Sequence, residues 1–194
     1  GHDEYWSEGM RNNVENFVEG GGNAAFLSGN TSFWQVRFGD DYRQMTGYKA
    51  DMIKDPLYDG KHCPTLATMW SDPLIGRPET QMTGVSFSRG GYAHMPNSPD
   101  GTGGYTVCQP QHWIYEGTSL KIGDVLGGEH IVVGYECDGC DFEFVDEKPV
   151  PTGVGGTPLN FEILGIAPAH LWETDESLGN LADNYVGELN WVAE

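Results

Sequence analysis

Apolar residues recur at a clear helical interval in one stretch of the chain. Met10, Val14, Phe17 and Val18 fall at i, i+4, i+7 and i+8, which predicts a helix from about Glu8 to Glu19 with a single apolar stripe. Ser7 is placed to cap that helix and Gly20-Gly21-Gly22 to stop it. The next run, Ala24-Ala25-Phe26-Leu27, is short and unalternated, the pattern of a strand buried on both faces in a parallel sheet. A helix feeding such a strand implies an earlier strand parallel to it, with Gly1 to Trp6 as the loop that follows. Active sites of open α/β sheets collect at such loops, so Tyr5 stands where chemistry is expected. Beyond Asn30 the period changes to two. Trp34, Val36 and Phe38 alternate with Gln35 and Arg37, Gly39-Asp40-Asp41 turns, and Tyr42 to Lys49 alternates again, which reads as a hairpin. Residues 50–110 carry Pro, Gly and Asp with little periodicity and read as an irregular insertion with a strand near Val85-Ser86-Phe87. Further strands are expected at Trp113–Tyr115, Ile131–Tyr135, Phe142–Val145 and Phe161–Leu164, with a Gly/Pro loop from Pro149 to Pro158.

Composition narrows the picture. A chain of 194 residues with 38% hydrophobic residues and 28 glycines suits one loop-rich domain. The expected unit spans residues 1–168, leaving 169–194 as a segment without assignment. No run of about 18 apolar residues or export signal is visible, so a cytoplasmic protein without membrane contact is expected. The chain starts at Gly1 without a methionine, which reads as a missing amino-terminal part, at least one strand of the domain. The net charge of −19 repels nucleic acid and anionic lipid. The acids are spread along the chain, and the scarcity of lysine favours a solvated surface over a cation-attracting field.

Catalytic signatures are mostly excluded. His62, His94, His112, His130 and His170 form no i, i+4 pair, and there is no G-x-S-x-G elbow. Gly101-Thr102-Gly103-Gly104 lacks the Lys-Ser/Thr of a phosphate loop. Cys137 and Cys140 form a C-x-x-C that suits half a zinc site or a redox pair, but no second pair supports zinc, and free thiols (with Cys63 and Cys108) fit best. Asp3, Glu4 and Glu8 read as acids favouring a helix amino terminus. Tyr5 and Tyr48 read equally well as packed aromatics with their hydroxyls at the rim. Glu136 ends an apolar strand, where a carboxylate is either exposed or, if buried, needs a hydrogen bond, a charge or a metal.

Several stretches share a resemblance. Gly1-His2-Asp3-Glu4-Tyr5-Trp6-Ser7, Phe26 to Thr31, Trp34 to Phe38, Tyr48-Lys49, His112 to Thr118, Val133 to Gly139 and Gly156 to Leu164 resemble, in order, the carboxy-terminal region of the N,N-dimethylformamidase large subunit. The resemblance implies a glutamine-amidotransferase-like (flavodoxin-like) α/β domain with mononuclear iron, as Fe(III), held by two tyrosines and a glutamate. Tyr5 matches the first tyrosine, Tyr48 the second with Tyr42 as competitor, and Glu136 the carboxylate. Asn160 matches an asparagine beside the metal. Gly134 stands where the dimethylformamide-cleaving enzymes carry a catalytic histidine, so another proton source is needed, and His2 or Glu4 is the candidate. Phenolate and carboxylate are hard donors that suit Fe(III). The expected activity is hydrolysis of the C–N bond of small N-substituted amides. The alternative is a non-catalytic accessory domain that keeps the fold. A small-subunit partner and homo-oligomerisation are further implications of the resemblance.

Overall fold

The computed structural model describes residues 1–93, 103–134, 136–170 and 189–193. His94, Gly101, Thr102 and Tyr135 lie outside the described residues, as does most of the carboxy-terminal segment. Strand β1 (Tyr5–Ser7) runs into helix α1 (Glu8–Glu19), and the Ser7 hydroxyl accepts from the Met10 amide at 3.3 Å, the expected cap. Strands β2 (Trp34–Gly39) and β3 (Gln44–Thr46) form the expected hairpin. Asp40, Asp41 and Tyr42 turn it with φ of 48°, 52° and 65°. β2 also takes β1 as a parallel neighbour, Tyr5 opposite Trp34.

A second, six-stranded sheet is built from β4 (Ser86–Tyr92), β5 (Tyr105–Val107), β6 (Val125–Leu126), β7 (Glu136–Gly139), β10 (Gly165–His170) and β11 (Leu189–Ala193). Its described pairings are all antiparallel. Strands β8 (Phe142–Val145) and β9 (Lys148–Pro151) make a separate hairpin. A four-residue helix, α2 (Thr80–Thr83), precedes β4.

The parallel, flavodoxin-like sheet expected from the sequence is therefore corrected: among the described residues the three-residue β1–β2 pair is the only parallel ladder. Parallel strands need crossovers of a dozen residues or more, usually helical. Here α1 is the only described helix of that length, and the run after it fails to become a strand. Residues 22–27 form no regular element, Ala24 and Ala25 are exposed, and Leu27 is 88% exposed. The helix is also turned from what its stripe suggests. Its buried residue is Arg11, 0% exposed, while Phe17 is 59% exposed and Met10 and Val18 are open to solvent. Arg11 is drawn inward by Trp70, with its guanidinium 4.7 Å from the ring, and donates to the carbonyls of Arg77 and Pro78 and to Glu15.

Other expectations shift locally. Trp113–Tyr115 is a 3-10 turn that buries Tyr115 and leaves Trp113 outside. Residues 131–134 and 161–164 are loops leading into β7 and β10 rather than strands, so Glu136 opens a strand instead of ending one. The first part of the Pro149–Pro158 loop pairs as β9. All four cysteines are free, as expected. Cys137 packs with Ala93, Val133 and Ala167, whereas Cys140 packs with Ile163 and Ile166. Burial pushes the Cys140 thiol up to about 12, so it is an inert core residue.

The core is divided into small clusters. Phe33, Trp34 and Phe87 form one, with Tyr5, Met69 and Tyr92 against it. Leu66, Trp70 and Ile75 form another, below the Arg11 network. Glu79 lies fully buried beside this network, taking the Ser86 hydroxyl on Oε1. Burial pushes its carboxyl up to about 7, against the pull of the Ser86 hydrogen bond and of Arg11.

Candidate metal centre

The amino-terminal stretch reaches the second sheet through backbone pairing. His2 bridges Gly29 in parallel, Ser32 donates to the Asp3 carbonyl at 2.8 Å, and Trp34 donates to the Glu4 carbonyl at 2.9 Å. These bonds lay Gly1–Ser7 beside residues 29–36, and residues 29–31 in turn cross β7. The crossing is close. A Cβ on Gly29 would meet the Glu136 carbonyl at 2.1 Å, so only glycine fits. Asp138 clamps the same crossing, its two carboxylate oxygens accepting from the Asn30 and Thr31 amides at 2.9 Å each. Asn30, in the left-handed region at φ 52°, then turns its side chain to Glu136.

The result is a chain of polar contacts. Trp34 Nε1 donates to Glu4 Oε1 at 2.6 Å, His2 Nε2 lies 3.3 Å from Glu4 Oε2, and His2 Nδ1 lies 3.3 Å from Glu136 Oε2. Asn30 Nδ2 donates to the same Glu136 oxygen at 3.0 Å. Lys49 Nζ stands 3.8 Å from Glu4 Oε1 and 4.9 Å from the centre of the Tyr5 ring. Tyr92, packed in the Tyr5 cluster, is the ladder partner of Glu136. Burial pushes the Glu136 carboxyl above its ordinary value. Asn30 and His2 pull it down, Glu4 adds to the rise, and Lys49 opposes it.

The six site residues expected from the sequence thus fare differently. Tyr5, Glu136, His2 and Glu4 come together in this group. Tyr48 precedes Lys49 at the start of a 3-10 turn (Lys49–Lys54), and its amide donates to the Ala67 carbonyl at 2.8 Å. The competitor Tyr42 is 83% exposed at the hairpin turn, against Phe38. Asn160 is exposed in the turn from Pro158 to Phe161, and its side chain makes no hydrogen bond among the described residues. Gly134 lines a cavity of 290 Å³ together with Gly1, Phe26, Gly29 and Glu136. A Cβ on it would meet the Glu136 carbonyl at 3.4 Å, an ordinary contact. Asn30, Lys49 and Trp34 were not singled out as site residues. The Gly29-Asn30 pair is a turn signal, and that is the only local hint of the crossing.

The donor chemistry suits a hard metal. No three His, Cys, Asp or Glu residues are grouped to hold an ion among the described residues, so a centre here would draw on tyrosine oxygens. The Tyr5 and Tyr48 hydroxyls have no hydrogen-bond partner among the described residues. Among the described residues both contacts to Glu136 fall on Oε2 and none on Oε1.

On a mainly antiparallel scaffold, the half-buried Glu136 is thus joined to Glu4 through His2, and Lys49 links Glu4 to the Tyr5 ring. Residues 1–183 match the family described as N,N-dimethylformamidase beta subunit-like, C-terminal, and the chain belongs to that family. A beta subunit implies a subunit partner within the family. No curated protein and no solved structure matches the chain. No helix among the described residues is long and apolar enough to cross a membrane.

Proposed function

We propose that this domain hydrolyses the C–N bond of small N-substituted amides, with mononuclear iron held by Tyr5, Tyr48 and Glu136. What supports the reading is the gathering of Tyr5, Glu4, His2 and Glu136 at one place in a chain of the dimethylformamidase-like family. Tyr48 joins the set on the resemblance and on its place beside Lys49. Iron bound there supplies Lewis acidity, polarising the amide carbonyl and lowering the pKa of water.

The remaining steps fall to the protein. His2 lies between two carboxylates at 3.3 Å from each, so it can take the proton released by the attacking water and pass it to the departing amine nitrogen, with the Glu4 carboxylate orienting the ring and steadying its positive charge. Asn30 keeps Glu136 in place from a backbone that Asp138 has fixed. The cavity beside Glu136 admits a small ligand, and Gly134 leaves part of it open.

The test is amine release from N-methylformamide, N,N-dimethylformamide and N-methylacetamide by iron-loaded protein. Release from at least one is expected, with loss of most activity in the His2→Ala/Glu4→Ala double variant. Gly134→His, which the backbone accommodates, is expected to raise dimethylformamide turnover by roughly 10²-fold. Iron-loaded protein that releases amine from none of the three would favour an accessory domain. Unchanged turnover in the double variant would remove His2 and Glu4 from the proton path.

A further inference from the structure

We infer that Lys49 is a positioning residue of this site, its ammonium fixing the Tyr5 ring and the Glu4 carboxylate in one arrangement. The inference rests on the proposed site and goes beyond its ligands and proton carriers. Three observations converge on it. The first is the backbone. Lys49 has φ of 51°, the left-handed region that residues with a Cβ enter only at a cost, and that glycine occupies freely. The second is the clamp that keeps it there. Lys49 and Tyr48 both donate their amides to the buried Ala67 carbonyl, at 3.1 and 2.8 Å, and the Thr68 hydroxyl donates to the Lys49 carbonyl at 2.8 Å.

The third is where that backbone sends the side chain. The ammonium stands 4.9 Å from the Tyr5 ring centre, 5.4 Å from the Trp34 ring and 3.8 Å from Glu4 Oε1. Glu4 Oε1 is also the acceptor of the Trp34 indole. One cation therefore touches two rings and a carboxylate that is itself tied to one of those rings. An exposed lysine–carboxylate pair taken alone holds little. A lysine delivered by a strained, clamped backbone onto two aromatic faces restricts all three partners together. Tyr5 has no hydroxyl hydrogen bond among the described residues, so its ring orientation depends on packing and on this charge.

Three substitutions separate charge from backbone. Lys49→Met removes the charge and keeps the stem, Lys49→Arg restores a cation, and Lys49→Gly removes both the side chain and the strain. In metal-free protein with ring-labelled tyrosine, Tyr5→Phe identifies the Tyr5 signals among the nine tyrosines. The Met and Gly variants are expected to shift and broaden those signals while leaving the tyrosines distant from Lys49 unchanged. Lys49→Arg should keep them near the wild-type positions. Lys49→Gly should melt no lower than wild type, which a merely structural lysine would not allow. In competition with a chelator, Met and Gly should weaken iron uptake about tenfold, with Arg within about threefold of wild type.

Tyr5 signals unchanged in both Met and Gly would overturn the inference. So would an Arg variant that behaves like Met at equal stability. If wild-type protein takes up no iron, the proposed function fails by itself, and the Tyr5 signals still decide the role of Lys49.

Discussion

Glu136→Gln is expected to lower amide turnover by about 10³-fold while leaving thermal stability equal or slightly raised. The substitution keeps shape and an acceptor oxygen for Asn30, so the crossing of residues 29–31 over β7 survives. What it removes is the anionic donor that an oxygen-rich iron site needs. Because burial already disfavours the Glu136 charge, its neutralisation costs the fold nothing. Activity and stability should thus move apart, as they do where a site is held against local stability. Measuring kcat/KM, iron content and melting temperature in one preparation checks this. Turnover within tenfold of wild type would remove Glu136 from the chemistry.

Asp55→Ala is expected to cost roughly 3 kcal/mol, since it leaves the part-buried Arg37 and the Ala67 and Leu57 amides without their buried acceptor. The Asp55 carboxylate is fully buried and takes Arg37 Nη1 and Nη2 at 2.6 and 2.8 Å, the Ala67 amide at 2.9 Å and the Leu57 amide at 3.0 Å. Burial would raise its pKa, but the Arg37 hydrogen bonds and then the two amides prevail and hold it at about 2, below an ordinary 3.8. The folded pKa is the lower one, so this stabilisation is complete above about pH 4 and is lost as pH falls through 2. The depression itself corresponds to about 2 kcal/mol. The Ala67 that Asp55 anchors also accepts the Tyr48 and Lys49 amides, so the loss should reach the candidate site and weaken iron uptake. Urea denaturation at pH 7 and at pH 2.5 is the check. A gap between variant and wild type below 1 kcal/mol at pH 7, or one that does not shrink in acid, would count against the account.

Helix α1 was legible because its determinants are local: a 3.6-residue period, a serine cap and a glycine stop. The β2–β3 hairpin was legible for the same reason. The sheet was not. Ala24–Leu27 satisfies the pattern of a buried strand, yet whether such a run is covered depends on partners elsewhere in the chain, and here it stays exposed. Arg11 shows the same limit from the other side. Its burial is set by Trp70 and the carbonyls at 77 and 78, which periodicity does not register. At the site, Tyr5 and Glu136 were visible through the family motifs. His2 and Glu4 were visible through their nearness to Tyr5. Asn30 and Lys49 were not, because a backbone crossing and a left-handed residue aim them, and neither leaves a regular mark in sequence.

Whether tyrosine and glutamate oxygens in this chain hold iron, as proposed, is decided by iron content and visible absorption after expression in iron-supplemented medium. About one iron per chain is expected, with a phenolate-to-iron absorption band that is lost in Tyr5→Phe and in Tyr48→Phe but retained in Tyr42→Phe. Colourless, iron-free wild-type protein, or a band that survives both Tyr5→Phe and Tyr48→Phe, would contradict the proposal.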